Sequence, residues 1–177
     1  MGADTTLRQR QATLARRYRD HPQEATVDKR ARTVPRTPPD SVHTTVMVDG
    51  PYPTELWQLG IDDKVGGESD LPNPAEMLLA ALVGCQESTV RMVAENLDIE
   101  IVALEVTAFG QVDTRGCLAL EDAVKVGFGA IEVDIHLEVA ENTEPRRLEL
   151  LRTLTDRLCV TTDTLRSGVP ITISYHS

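Results

Sequence analysis

An α+β fold is what this sequence predicts, and three observations predict it. One long helix, apolar on nearly every side, lies between two groups of strand-like segments, which is segregated order rather than the alternation of a parallel sheet. Ala130 to Ala140 (AIEVDIHLEVA) alternates apolar and polar residues strictly, as a strand with one buried and one wet face does. A chain of 177 residues also suffices for a single core without disulfide or metal staples.

Residues 5–19 (TTLRQRQATLARRYR) read as a surface helix with Thr5 or Thr6 as cap and Leu7, Ala12, Leu14 and Tyr18 as apolar contacts. His21-Pro22 ends it. This part is set apart as an N-terminal helical extension, residues 1–24, ahead of a main domain over residues 25–177. Ala25 to Val34 reads as a first strand, closed by the loop of Pro35, Pro38 and Pro39. Val42 to Val48 (VHTTVMV) is a second, followed by an Asp49-Gly50 turn, and Thr54 to Ile61 a third. Asp62 to Leu71, with Gly66-Gly67, is a flexible lead-in to the long helix.

That helix, Asn73 to Asn96, has a complete start. Asn73 is the N-cap, Pro74 takes the first helical position, and Glu76 has the capping-box spacing. Met77, Leu78, Leu79, Ala80, Ala81, Leu82 and Val83 follow, and a helix apolar on every side is expected to be buried. Cys85, flanked by Gly84, shares a face with Leu78, Ala81 and Met92. Glu87, Arg91 and Glu95 form a polar edge at i,i+4 steps.

Ile99 to Val112 reads as a long strand and Asp113 to Val126 as a loop. After the alternating strand, Asn142 or Thr143 caps a helix reaching Cys159, with Leu148, Leu151, Leu154 and Leu158 as its apolar set. Cys159 lies at almost the same helical angle as Leu148 and so faces inward. Thr164 to Gly168 is a turn, and Val169 to Tyr175 (VPITISY) closes the fold as a strand.

Composition narrows the function. Aromatic residues make up 3% of the chain, so the core is built from Leu, Val, Ile and Ala. The net charge is −10; residues 51–177 carry nine Lys and Arg against twenty-two Asp and Glu, an acidic body unsuited to nucleic acid. No apolar run has the length of a membrane span and the first residues have no apolar leader. Three cysteines fit no closed disulfide framework, which points to a reducing, cytoplasmic setting. His21, His43, His136 and His176 have no metal spacing to one another or to Cys, and no phosphate-cradling loop occurs, so neither metal nor cofactor is expected.

The two inward-facing cysteines are either small core hydrophobes or a thiol–disulfide pair. NPAEMLLAALVGC, then LTDRLCVTTDTL and SGVPITISY, resemble the OsmC/Ohr family of osmotically inducible and organic hydroperoxide resistance proteins over roughly residues 40–177. GQVDTRGCLAL and VGFGAI, with the N-terminal helix, resemble a less characterised branch. The resemblance implies two central helices enclosed by curved antiparallel sheets in an intertwined homodimer, and reduction of small organic hydroperoxides with a dithiol reductant restoring the protein. Carried over, Cys85 is the peroxidatic thiolate and Cys159 the resolving thiol.

A mid-helix thiol in apolar surroundings needs a cation, because burial raises its pKa. The family takes an arginine from the N-terminal strand–loop region, and Arg32 and Arg36 are the candidates here. The family holds that arginine with a glutamate at the position of Ala75; Glu76 points to the far side of the helix and belongs to the cap. Leu78, Leu82 and Met92 are candidates for an apolar substrate wall. Cys117 matches no family cysteine, and Asp113, Arg115 and Gly116 read as a local pair and turn. The alternative, which Ala75 favours, is a dimer that binds a small molecule or partner without peroxidase activity.

Overall fold

Asn73, Pro74 and Glu76 start the longest helix of the chain, as their spacing predicts. The Asn73 side-chain oxygen accepts the backbone N–H groups of Ala75 (2.9 Å) and Glu76 (3.0 Å), and the Glu76 carboxylate accepts the N–H of Asn73 (2.8 Å). The capping box is therefore closed in both directions. The computed structural model describes residues 6–35 and 40–176. Its elements are α1 (Leu7–Asp20), β1 (Arg30–Thr33), β2 (Thr44–Asp49), β3 (Trp57–Leu59), α2 (Pro74–Asn96), β4 (Ile101–Gly110), α3 (Thr114–Cys117), β5 (Ile131–Val139), α4 (Pro145–Leu158) and α5 (Val160–Ser167).

The chain forms two compact units. One comprises residues up to Gln11, Ala80–Ala108 and Val133 onward; the other comprises Ala12–Leu79 and Phe109–Glu132. The core of the first is Val90, Val93, Ala94, Ile99 and Leu151. Leu104 of β4, Leu137 and Val139 of β5 and Leu154 of α4 pack around that core. The alternation that predicts β5 thus turns Leu137 and Val139 to the core, while Ile135 on the same face is 39% exposed. β4 and β5 pair, and the flanking bonds Ala140 N–H to Glu100 O and Gly129 N–H to Gln111 O mark an antiparallel register. The start of α1 is tied to the end of α2: the Arg8 guanidinium meets Asp98, and the Arg8 N–H donates to Glu95 at 2.9 Å. A carboxylate at a helix N-terminus is favoured by the free N–H groups there.

The second unit holds the antiparallel sheet β1-β2-β3, with Arg30 opposite Asp49 and Thr44 opposite Leu59. Gly66 adopts φ +91°, and a Cβ on Gly67 would lie 1.9 Å from the Ile61 carbonyl oxygen. The expected flexible lead-in is thus a fixed turn in which both glycines are required.

Four expectations are corrected. α2 is not buried all round: Leu82, Gln86, Thr89, Val90, Val93 and Ala94 form one buried stripe, while Leu78 is 40% exposed. The helix has more apolar surface than its own chain covers. By length and composition α2 could cross a membrane, where apolar runs predicted no such segment, yet its buried stripe and its Glu87–Arg91 pair (2.6 Å) serve a core helix with a wet edge. The second long helix stops at Leu158, Cys159 turns extended (φ −76°, ψ 113°), and α5 replaces the expected turn. Val169 to Tyr175 has no regular structure and Ile171 is 81% exposed. Its alternation suits a strand, but among the described residues no sheet edge pairs with it.

Leu151 is 1% exposed at the centre of the core. Leu151→Ala is expected to cost about 2–5 kcal/mol in chemical denaturation; a loss below ~1 kcal/mol would place the stabilising contacts elsewhere.

Candidate functional site

Both candidate cysteines belong to the first unit. Cys85 is presented from the middle of α2 and is half-buried; Cys159 sits at the α4–α5 break and is completely buried. Both are free thiols, and the Cys85 thiol helps to lower the pKa of Cys159. The break is what makes the site polar. With Cys159 as the residue before α5, the Thr161 hydroxyl lies 3.3 Å from the sulfur. Burial pushes the Cys159 thiol up, but hydrogen bonding from Thr161 and Thr162 and the Cys85 thiol outweigh it and hold it below its ordinary value of 9.0. The free N–H groups at the start of α5 act in the same sense.

Gln86 completes the cluster. It is 5% exposed, and its Nε2 donates to the Thr162 hydroxyl oxygen at 2.9 Å. The Thr89 hydroxyl donates to the Cys85 carbonyl at 2.8 Å and that of Ser88 to the Gly84 carbonyl at 2.8 Å, so both side chains are spent on the helix itself. Sequence reading missed Gln86, Thr161 and Thr162. Their signal was an amide directly after Cys85, where the helix turns from apolar to polar, and a Thr-Thr pair directly after Cys159-Val160.

The other candidates are placed as follows. Leu82 is buried, Met92 packs against the core cluster, and Leu78 lies exposed in the second unit. Arg32 projects from β1 with its side chain 49% exposed and pairs with Asp49 at 3.4 Å. Arg36 lies outside the described residues. Asp113 and Arg115 form the expected local pair (2.5 Å), which Glu121 joins at 3.1 Å.

The second unit contains a cleft of about 780 Å³. Val34, Val42, Leu59, Ile61 and Val112 supply apolar lining; Ala75 and Cys117, which closes α3 rather than lying in a loop, are part of its wall. His43, also on the wall, stands between Asp70 (3.1 Å from Nε2) and Asp40 (3.4 Å from Nδ1). The Asp70 bond raises the His43 pKa above 6.5 against the opposing effect of burial, with Asp40 assisting. Among the described residues His43, Glu68 and Asp70 could offer a metal ion one atom each, all within 4.8 Å, a grouping the sequence spacing did not reveal. The two ring nitrogens are already engaged by carboxylates, which suits an imidazolium.

Residues 66–174 match the family model described as OsmC-like protein. No curated protein matches the chain. Among solved structures, the OsmC-like protein VCA0330 of unknown function from Vibrio cholerae is 14% identical, with TM-score 0.62 over 78% of this chain and 94% of that one. An organic hydroperoxide resistance protein OsmC from Legionella pneumophila is 19% identical, with TM-score 0.54 over 81% of this chain and 93% of its own. One from Elizabethkingia anophelis is 18% identical, with TM-score 0.55 over 82% and 92%. At such identities the likeness is one of fold.

A raised His43 pKa adds stability that is fully present below pH 6.5 and is lost as pH rises through the folded-state value. The His43 ring resonances should titrate with a midpoint above 6.5, and His43→Gln should remove this pH-dependent part of the unfolding free energy. A midpoint at or below 6.5 would sink the assignment.

Proposed function

The chain belongs to the OsmC-like protein family, and on that premise we propose that it reduces organic hydroperoxides with a pair of cysteines. One observation carries the reading: both thiols lie in the same unit, the Cys85 thiol bears on the ionisation of the Cys159 thiol, and only one of them is reachable. Cys159 is fully buried, whereas Cys85 is half-buried and can meet a small molecule. Cys85 therefore attacks the distal oxygen of R–O–O–H, the O–O bond breaks, the alkoxide leaves as alcohol, and Cys85 becomes a sulfenic acid. The Cys159 thiolate attacks that sulfur; the S–S bond forms, the S–O bond breaks, and hydroxide leaves as water. A dithiol reductant returns both thiols by exchange. Such a cycle suits a reducing compartment, the cytoplasm.

The unit of function in this reading is a homodimer. The uncovered apolar positions of α2, Leu78 and Ala81 among them, and the exposed Ile171, Ile173 and Tyr175 support it, since one chain leaves them facing water. A second reading, a scaffold that binds an apolar small molecule without peroxidase activity, is supported by the cleft with Ala75 in its wall, where the family resemblance places a glutamate.

Intact mass under non-reducing conditions after one equivalent of cumene hydroperoxide decides between the readings. The expected result is a loss of two hydrogens mapped to Cys85 and Cys159, trapped Cys85 sulfenic acid in Cys159→Ser, and slower oxidation by hydrogen peroxide. Thiols unchanged after minutes would leave ligand binding as the better reading. Sedimentation at micromolar concentration should give the mass of a dimer; a monomer there would remove the homodimer.

A further inference from the structure

In the second unit, two stretches far apart in sequence bring polar side chains together beside the cleft. His43, directly before β2, stands on the cleft wall; Glu68 and Asp70 come from the turn that leads into α2. One ring nitrogen of His43 and one carboxylate oxygen from each of the other two all lie within 4.8 Å of one another. Nε2 of His43 faces both oxygens of Asp70, each at 3.1 Å. Two donors on one ion have this spacing, since bonds of about 2.0–2.2 Å put neighbouring donor atoms roughly 3–3.5 Å apart. Nδ1 lies 3.4 Å from Oδ2 of Asp40, whose Oδ1 accepts the N–H groups of Val42 (3.0 Å) and His43 (3.1 Å). A carboxylate anchored on the far nitrogen fixes the ring and its tautomer, so that Nε2 can present its lone pair to a metal. The carboxylates are positioned as firmly. Ser69 between them is in the left-handed region (φ +51°), held by its N–H to the Ile61 carbonyl (3.2 Å) and by its hydroxyl, which accepts the Asp63 N–H (2.7 Å). Among the described residues neither Glu68 nor Asp70 pairs with a Lys or Arg; the imidazole is the one group there that can carry positive charge against them.

We propose that His43, Glu68 and Asp70 bind a divalent transition-metal ion, with Asp40 as the carboxylate that orients the His43 ring. The donor set selects the class of ion. It contains no sulfur to favour a soft metal, and its imidazole nitrogen favours the first-row transition series over magnesium and calcium. Three protein ligands leave positions for water, or for a donor atom of a molecule in the adjoining cleft. The ion takes the place of the Nε2 proton of a charged His43, and that proton passes to solvent. Spacing among the histidines concealed the site because it uses one histidine, and Asp70 follows 27 residues later. The inference stands apart from the thiols and from the peroxide chemistry.

In the competing account a charged His43 merely clasps β2 to the turn. Manganese(II) chloride added to the full chain, with unbound ion counted by electron paramagnetic resonance, separates the two. Manganese is the probe because carboxylates suit it and thiolates do not, which keeps the cysteines out of the measurement. One ion per chain is expected, broadening the His43 ring resonances ahead of those of the other three histidines. His43→Gln, Asp70→Asn and Asp40→Asn should each weaken binding about tenfold or more. Glu68→Gln should do the same, and it guards against misfolding as an explanation, because Glu68 is exposed and makes no hydrogen bond among the described residues. Absence of binding at millimolar manganese, or an affinity unchanged in either Glu68→Gln or His43→Gln, overturns the proposal. So does displacement of manganese by an equal concentration of magnesium, since an acidic patch without the imidazole would not distinguish the two ions.

Discussion

The packing of α2 against α4 through Val90, Val93, Ala94 and Leu151 is the contact from which the rest of the first unit follows. Both helices extend that contact in steps of about one turn. On α4 the buried positions are Leu151 and Thr155, and four residues further comes Cys159; on α2 they include Val90 and, four residues earlier, Gln86. The core therefore passes without a gap from aliphatic to polar, and the thiols lie at its polar end. A residue lost from the aliphatic end would loosen the packing at the polar end as well, because close-packed interiors transmit strain.

The electrostatics at that end differ from what an isolated helical cysteine demands. Cys85, mid-helix in apolar company, calls for a cation, and Arg32 and Arg36 were the residues considered for it. The described contacts of Arg32 are instead with Asp49. The favourable environment belongs to the other sulfur and consists of hydroxyl, amide and thiol groups. Neutral donors close to a buried sulfur are less sensitive to ionic strength than a distant guanidinium.

Much of the fold was legible because its signals are local. The cap at Asn73, Pro74 and Glu76 uses residues within one turn, and the strict alternation of Ile131–Val139 reports a single face of a single strand. The failures all concern what lies opposite. Sequence shows that α2 is apolar, but not which of its faces the chain covers. It shows that Val169 to Tyr175 would suit a strand, but not whether an edge is available. The extended backbone at Cys159 was hidden for a related reason: the leucine periodicity of α4 continues in register to Leu158 and gives no sign of a stop. The inward placement of Cys85 and Cys159 was readable, whereas the polar cluster around them depends on that break and was not.

The exposed tail has a consequence for how the protein behaves in quantity. From Val169 to Tyr175 it carries no charge, alternates β-branched residues with small polar ones, and has a single proline near its start as a guard. Such a segment is a template for self-pairing, and a charge or a further proline is the usual protection. Closed pairing with one other copy hides it; a chain left single, or one copy joined to many, does not. The ratio of ordered assembly to disordered aggregation is then governed by mass action, so the amount of protein present becomes a determinant of its own solubility.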